Sequence, residues 1–298
     1  MRIVNFGSLN IDTVFSVEHS AAPGESMPVA DPQTFAGGKG LNQSIAAARA
    51  GGTVSHAGRI GPDGVFLTDL LKEDGVDTAY VLLDPAVKSG GAIIQVEPNA
   101  RNTMLIYGGA NRRLDEEQVD TVLNAFGAGD FLMLQNETNL TRRMIERAAE
   151  RGIRIVYNPS PITPEIFDMP FDKINLLIVN EDEGAALANG VYPPEEMLRR
   201  LHQVCPNIVI LTLGKDGSYA MENGQLIHQE IFPVEAVDST GAGDTYAGYI
   251  TAGLDRGESL RDAMRIAAAA SAIAVSRKGA AASIPTLAET LAFLDAQN

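Results

Sequence analysis

DSTGAGDTYAGYI, Asp238 to Ile250, joins a β-like stretch, IFPVEAVD, to an apolar helical pattern, TYAGYITAGL. The same tetrapeptide, GAGD, stands in FGAGDFLML, Phe126 to Leu134, where the amphipathic LDEEQVDTVLNAF precedes it and an apolar run follows. The surroundings give the two copies opposite readings. In the first, Gly127 and Gly129 supply the positive-φ positions of a helix C-cap and turn, and Asp130 shapes a helix-to-strand junction. In the second, the glycines fall at a helix N-terminus, where the first N–H groups lack partners and the dipole is positive. Small residues there let a phosphate approach the backbone closely. Gly241, Ala242 and Gly243 suit an anion hole for charge developing in phosphoryl transfer, and Asp244 stands where it would accept a proton from an attacking hydroxyl. The plainer alternative leaves Asp244 as a first-turn carboxylate that favours the helix dipole.

Outward from these junctions, short Val- and Ile-rich runs alternate with longer amphipathic, Ala-rich stretches, which is the pattern of a mostly parallel sheet covered by helices. Strands are expected near Ile3, Val54, Phe131, Ile153, Ile174 and Ile208. Helices are expected over Leu41 to Ala50, Gly64 to Glu73, Asp115 to Phe126, Thr141 to Arg151 and Asp182 to Asn189. The architecture read from this pattern is α/β. Two segments break the alternation: Thr13 to Ala36, and Ala92 to Gly108 around a Pro-Asn-Ala-Arg-Asn turn. Together they read as a small antiparallel sheet, serving as a lid or a dimer surface, or else as an ordinary surface hairpin.

Composition narrows the function classes. A chain of 298 residues with 45% hydrophobic and 20% charged residues is ordinary for a folded soluble enzyme. Its net charge of -15 disfavours partners held by a general positive field, so neither nucleic acid nor an anionic membrane is expected. The single cysteine, Cys205, forms no disulfide within the chain, and the four scattered histidines make no zinc pattern. With neither a signal-like start nor a membrane-length apolar run, the expected location is the cytoplasm.

A second glycine-rich helix entry, AGGKGLNQSIAAARAGG, spans Ala36 to Gly52. It is neither a GxxxxGK[ST] loop nor a GxGxxG fingerprint. It reads as a glycine-tolerant turn or as a close backbone approach to a polyhydroxylated ligand, with Lys39 and Asn42 giving directional hydrogen bonds. GSLNID, Gly7 to Asp12, lies past the first strand, at the carboxyl end where open α/β sheets bind ligands, and Asn10 and Asp12 suit vicinal hydroxyls. LQNE (Leu134 to Glu137), VNEDE (Val179 to Glu183) and TLGKDG (Thr212 to Gly217) also follow apolar strands, so their polar groups are expected to converge.

With GSLNID, GGKGLN, LQNE, NEDE, TLGKDG and VDSTGAGD in this order, the chain resembles the ribokinase-like (PfkB-type) family of sugar kinases from about Arg2 to Pro285. The resemblance implies a single three-layer α/β domain over residues 1–298 with a small β lid from about 13–36 and 92–108. It also implies ATP-dependent phosphorylation of a sugar's primary hydroxyl, with the 5-hydroxyl of D-ribose as the expected acceptor. Asp244 then becomes the catalytic base and Gly241, Ala242 and Gly243 the anion hole. The sugar falls to Asn10, Asp12, Gly38, Lys39, Gly40, Leu41, Asn42 and Glu137. The nucleotide falls to Asn180, Thr212, Leu213, Gly214, Lys215, Asp216, Gly217, Gly243 and Ala268, and Glu183 places Mg²⁺ through water. The family's monovalent-cation loop maps onto Asp238, Thr240, Ala274, Arg277, Gly279 and Ser283, several through backbone carbonyls, with K⁺ as activator. A homodimer through the β lid is expected.

Two positions depart from the family pattern. Leu41 stands where alanine is usual, expected to trim the sugar pocket, and Ala268 stands where a histidine near the adenine is common. The alternatives are a kinase of fructose 1-phosphate or tagatose 6-phosphate, for which Arg101 is a basic candidate, a nucleoside kinase, or a non-catalytic sugar-binding regulator.

Overall fold

The computed structural model describes residues 1–29, 31–98 and 102–297. The strands are β1 (Ile3–Phe6), β2 (Asn10–Ser16), β3 (Gln33–Gly37), β4 (Val54–Ile60), β5 (Asp77–Leu83), β6 (Gly90–Val96), β7 (Asn102–Tyr107), β8 (Phe131–Gln135), β9 (Arg154–Asn158), β10 (Leu176–Asn180), β11 (Ile208–Thr212), β12 (Ser218–Glu222) and β13 (Gln225–Gln229). The helices are α1 (Lys39–Arg49), α2 (Val65–Glu73), α3 (Glu116–Asn124), α4 (Thr141–Glu150), α5 (Glu181–Leu187), α6 (Pro194–Val204), α7 (Ala242–Asp255), α8 (Leu260–Val275) and α9 (Leu287–Ala296). Among the described residues none of them is long and apolar enough to cross a membrane.

A nine-stranded sheet runs β13-β12-β11-β10-β9-β8-β1-β4-β5. Every neighbour from β11 to β5 is parallel, and β12 and β13 extend the edge antiparallel. Parallel strands covered on both faces must be apolar on both, which is why IVNF of β1 and FLMLQ of β8 are buried at every position. Ile3, Met133 and Val156 face one core with Ile45 of α1, Tyr249 and Ile250 of α7, and Met264 of α8. Val4, Phe6, Leu132 and Leu134 face the other, with Val119 of α3, Met144 of α4 and Leu198 of α6. The result is the expected three-layer α/β architecture.

The chain leaves β1 toward β4 and β5, then returns to β8 on the opposite side of β1. Such a reversal of strand order, here between β1 and β8, is the place where open α/β sheets bind ligands at the strands' carboxyl ends.

A second sheet has the order β3-β2-β6-β7. Its outer pairs, β2 with β3 and β6 with β7, are antiparallel, and β2 and β6 join the two hairpins in parallel. In the segment expected to be extended over Thr13 to Ala36, the strands are the end of β2, to Ser16, and β3, from Gln33. The tip with Arg101 lies outside the described residues.

The first GAGD closes a helix, as its context required. Asp130 accepts hydrogen bonds from the Arg2 amide (3.0 Å), the Arg2 guanidinium (2.8 Å) and the Gly127 amide (3.1 Å). Gly129 takes a left-handed φ of 94°, but Gly127 does not, so a single residue makes the turn.

Candidate active site

The second GAGD opens α7. Gly241 is the N-cap, with φ 76° and ψ 2°, and its Cα packs so closely on Ala280 that an added Cβ would lie 3.2 Å away. The left-handed φ favours glycine there, and the close Ala280 adds to that preference. Asp244, in the first turn, is only 7% exposed. The Asn42 amide donates to its Oδ2 at 2.9 Å and the Gln43 amide donates to its Oδ1 at 3.0 Å. Both donors come from α1, which packs along α7, so the GGKG entry and the GAGD entry meet at one carboxylate. Of the three amides assigned to the anion hole, that of Ala242 already makes a long bond to the Ser239 carbonyl (3.3 Å).

The approach that brings α1 there depends on Gly40. A Cβ at Gly40 would stand 2.3 Å from the Ser8 nitrogen and 2.4 Å from the Gly7 Cα, backbone against backbone. With that space kept open, Gly38 N-caps α1 and the Leu41 amide donates to the Ser8 carbonyl (3.0 Å). Glu137, just past β8, accepts from the Ser8 hydroxyl and from the Lys39 amide (3.0 Å). Asn10 and Asp12 lie on β2, where it crosses from the large sheet to the small one. Burial, assisted by the Glu137 carboxylate, pushes the Asp12 carboxyl up to about 6. For Lys39, burial alone would lower the ammonium, but the carboxylates of Asp244, Glu137 and Glu183 outweigh it and hold the group above its ordinary value. Asp12 Oδ1 and Asn42 Oδ1 are buried without a protein partner, which hydroxyl donors of a ligand would supply.

One residue departs from its expected place. The Leu41 side chain is fully buried in the core shared by β1, α1 and α7, so it underlies the crevice rather than trimming it, and only its backbone is near the site. Other groups that no motif pointed to take part. Asn111 donates to Asn10 Oδ1 (2.7 Å) and accepts from the Leu9 amide (3.0 Å), fixing the end of the β1–β2 connection. Gln43 sits one position past the GGKGLN motif. Its side that faces Asp244 follows only from helix phase, which the sequence pattern did not resolve.

Beside Asp244, across Gly243 and Ser239, lie two adjoining hollows. One, of about 390 Å³, is walled by Gly217, Phe232, Val234, Ala268, Ala272 and Val275, an apolar slot suited to a flat base. The other, of about 670 Å³, is polar and reaches Lys39, Asn180, Glu183, Leu213, Asp216, Gly241 and Asp244. Thr212, Gly214 and Lys215 line both. All the residues assigned to the nucleotide therefore surround one bipartite cleft. Asn180 also caps α5, its Oδ1 accepting from the Glu183 amide (2.8 Å) while Glu183 Oε2 accepts from the Asn180 amide (3.0 Å). Among the described residues no three His, Cys, Asp or Glu side chains gather into a chelating cage. Mg²⁺ in kinase sites keeps several waters and leans on phosphates, so the buried Glu183 carboxylate, among the acidic groups lining the polar hollow, fits water-mediated placement.

The loop before α7 is tied to the end of α8. Asp238 accepts from the amides of Thr240 (2.9 Å) and Gly279 (2.9 Å), and these bonds outweigh burial to hold its carboxyl below the usual range. The Ala274 carbonyl accepts from the Arg277 amide (3.1 Å), and Ser283 donates to the Ala280 carbonyl (2.8 Å). The Arg277 guanidinium turns away to Glu289 (2.8 Å), leaving only its backbone beside the loop. The donors this loop offers are carboxylate and carbonyl oxygens, hard ligands that suit a hard cation rather than a transition metal.

A buried carboxylate at a helix N-terminus, between a hydroxyl-binding crevice and a cleft sized for a nucleotide, defines a small-molecule phosphotransferase. The match to known proteins agrees in fold and class. Residues 1–287 match the pfkB family carbohydrate kinase, and the chain belongs to that family. It is 34% identical to a ribokinase of Staphylococcus aureus over 301 residues, covering 97% of this chain and 98% of that protein. It is similar to the crystal structure of ribokinase from Cryptococcus neoformans in complex with ADP, with a TM-score of 0.85 and 33% identity over 98% of this chain and 99% of the other. It is also similar to Arabidopsis thaliana ribokinase complexed with ribose and ATP, with a TM-score of 0.86 and 28% identity over 98% of both.

Proposed function

We propose that the protein transfers the γ-phosphoryl group of ATP to the 5-hydroxyl of D-ribose. The observation that carries this reading is Asp244, buried and held by Asn42 and Gln43, with the sugar crevice on one side and the nucleotide cleft on the other. Asp244 accepts the hydroxyl proton as the oxygen attacks in line, and the N–H groups of Gly241 to Gly243 face the charge spreading over the transferred group. Lys39, charged and within the polar hollow, adds a fixed cation there. Mg²⁺ held through water by Glu183 would screen the phosphates, and K⁺ at the Asp238 loop would stiffen the turn that aims Gly241. Asn10, Asp12, Glu137 and the backbone of Gly38 to Asn42 grip the sugar hydroxyls.

Asp244, Glu137 and Glu183 put three carboxylates around the Lys39 ammonium, and Asp12 lies beside Glu137 on the sugar side. A sugar already carrying phosphate would meet like charge there, which favours a neutral acceptor. The small sheet closes over the sugar as a lid and pairs with its counterpart in a homodimer, and the fully buried Cys205 suits the cytoplasm.

The test is ADP release across ribose, 2-deoxyribose, hexoses, phosphosugars and nucleosides, each with and without K⁺. Highest kcat/KM on ribose is expected. Turnover confined to phosphosugars or nucleosides would reject ribose, and no turnover on any acceptor would reject the kinase reading.

A further inference from the structure

Four neighbouring strands carry a polar residue on the face covered by α1: His56 of β4, Asn5 of β1, and Gln135 and Asn158 at the carboxyl ends of β8 and β9. Asn5, His56 and Gln135 are almost completely buried, as are Gln43 and Ser44 of α1 above them. A polar layer so deep in a parallel sheet must satisfy itself. Its bonds form a chain that ends on Asp244. Asn5 donates to the Gly40 carbonyl (2.8 Å) and to Ser44 Oγ (2.9 Å). Gln135 donates to Asn5 Oδ1 (3.0 Å) and to Gln43 Oε1 (2.7 Å). Gln43 in turn donates to Asp244 Oδ1 (3.0 Å), with a longer branch to Asn158 Oδ1 (3.3 Å).

The polarity of this chain is fixed at both ends. The Gly40 carbonyl can only accept, so Asn5 must present its nitrogen there and its oxygen to Gln135. A carboxylate can only accept, so Gln43 must present its nitrogen to Asp244 and its oxygen to Gln135. The residue between two acceptor oxygens must donate twice, and a primary amide does so with one nitrogen. Gln135 Oε1 is left buried without a partner, consistent with an amide held in this sense by its two donations.

We infer that Gln43 is a positioning residue for Asp244, and that Gln135, which touches neither the base nor the ligand crevice, anchors the Gln43 amide by donating to its Oε1, the end turned away from the base. The inference rests on the reading of Asp244 as the base. Asn42 holds Oδ2 and Gln43 holds Oδ1, so the carboxylate plane is set by two donors from consecutive residues of one helix. Without Gln135, Gln43 Oε1 loses its donor and the amide is held only at its Asp244 end, so it is free to swing away from the carboxylate.

The experiment is steady-state kinetics on the full chain carrying Q43M, Q135M, both together, or D244N, with melting temperatures measured alongside. Losing a hydrogen bond to a charged group should cost Q43M about 10- to 100-fold in kcat while both KM values stay within about twofold. Q135M should lose less than Q43M, and the double variant should be no slower than Q43M alone, because Gln135 acts only through Gln43. Wild-type kcat in Q43M with D244N inactive overturns the inference alone, whereas turnover retained in D244N overturns the base assignment beneath it. Losses in the double variant that multiply overturn the role of Gln135. Where Q43M does not fold, Q43E keeps the size and the contact with Gln135 but presents oxygen to Asp244, and wild-type kcat in that variant overturns the inference equally.

Discussion

Asp12 and Asp130 are the same side chain in opposite electrostatic settings. Asp12 is buried beside Glu137, and its carboxyl is pushed up to about 6, so it gains a proton as pH falls through that value. A protonated carboxyl loses part of its accepting capacity, and sugar affinity should fall with it. Sugar KM is therefore expected to rise several-fold between about pH 7.5 and about pH 5.5, with kcat at saturating sugar changing less. Constant sugar KM across that range would remove Asp12 from the sugar grip. For Asp130, burial is outweighed by Arg2 and by the Gly127 and Arg2 amides, which hold the carboxyl below its usual range. Because the Arg2 partner is half exposed, D130N should cost about 1 kcal/mol or less in stability and leave kcat unchanged. A large loss of kcat in a folded D130N would show that the two GAGD motifs had been assigned the wrong way round. Context separated them in the sequence because one follows a helical pattern and the other precedes one. The partners of each carboxylate were not legible, since Arg2 lies 128 residues from Asp130 and Gln43 lies 201 from Asp244.

At the scale of elements, the meeting of α1 and α7 turns on glycines with different tolerances. A methyl group at Gly40 would collide with the backbone of Gly7 and Ser8, which no rotamer change relieves, whereas one at Gly243 would enter open space. G40A should lose about 1 to 3 kcal/mol by overpacking and raise sugar KM, seen as a lower Tm and weaker binding. G243A should keep its Tm, and its effect should fall on nucleotide KM and kcat. Equal Tm losses in the two would contradict the packing described. Glycine-rich helix entries mark these elements in the sequence, and short Val- and Ile-rich runs mark six strands of the large sheet. The edge strand β5, the β12–β13 hairpin, α6, α8 and α9 escaped that reading. The strands of the hairpin are short, and the Ala-rich runs of α8 signal a helix less by amphipathic contrast than by propensity, which tertiary packing then realises.

Across the whole molecule, the small sheet is the part whose surface is unlike the rest. Leu105 and Ile106 are 64% and 63% exposed, and Phe35, Ile93 and Tyr107 are exposed with them, whereas the large sheet is covered on both faces. An apolar surface of this kind is what the proposed lid-to-lid homodimer would bury. Light scattering should report a dimer, and the double substitution Leu105→Ser with Ile106→Ser should shift it to monomer; a monomeric wild type would dismiss the pairing. What the sequence determined by itself was the α/β class, the order of the site motifs and Asp244 as the candidate base, because periodicity and glycine-rich junctions are local properties that survive without neighbours. Tertiary structure alone decided the rest. It buried Leu41 beneath the crevice instead of beside the sugar, joined β2 to β6, and lined up Asn5, Gln135 and Gln43 behind Asp244. Each of these depends on helix phase and strand register, which are set by packing between segments far apart in the chain.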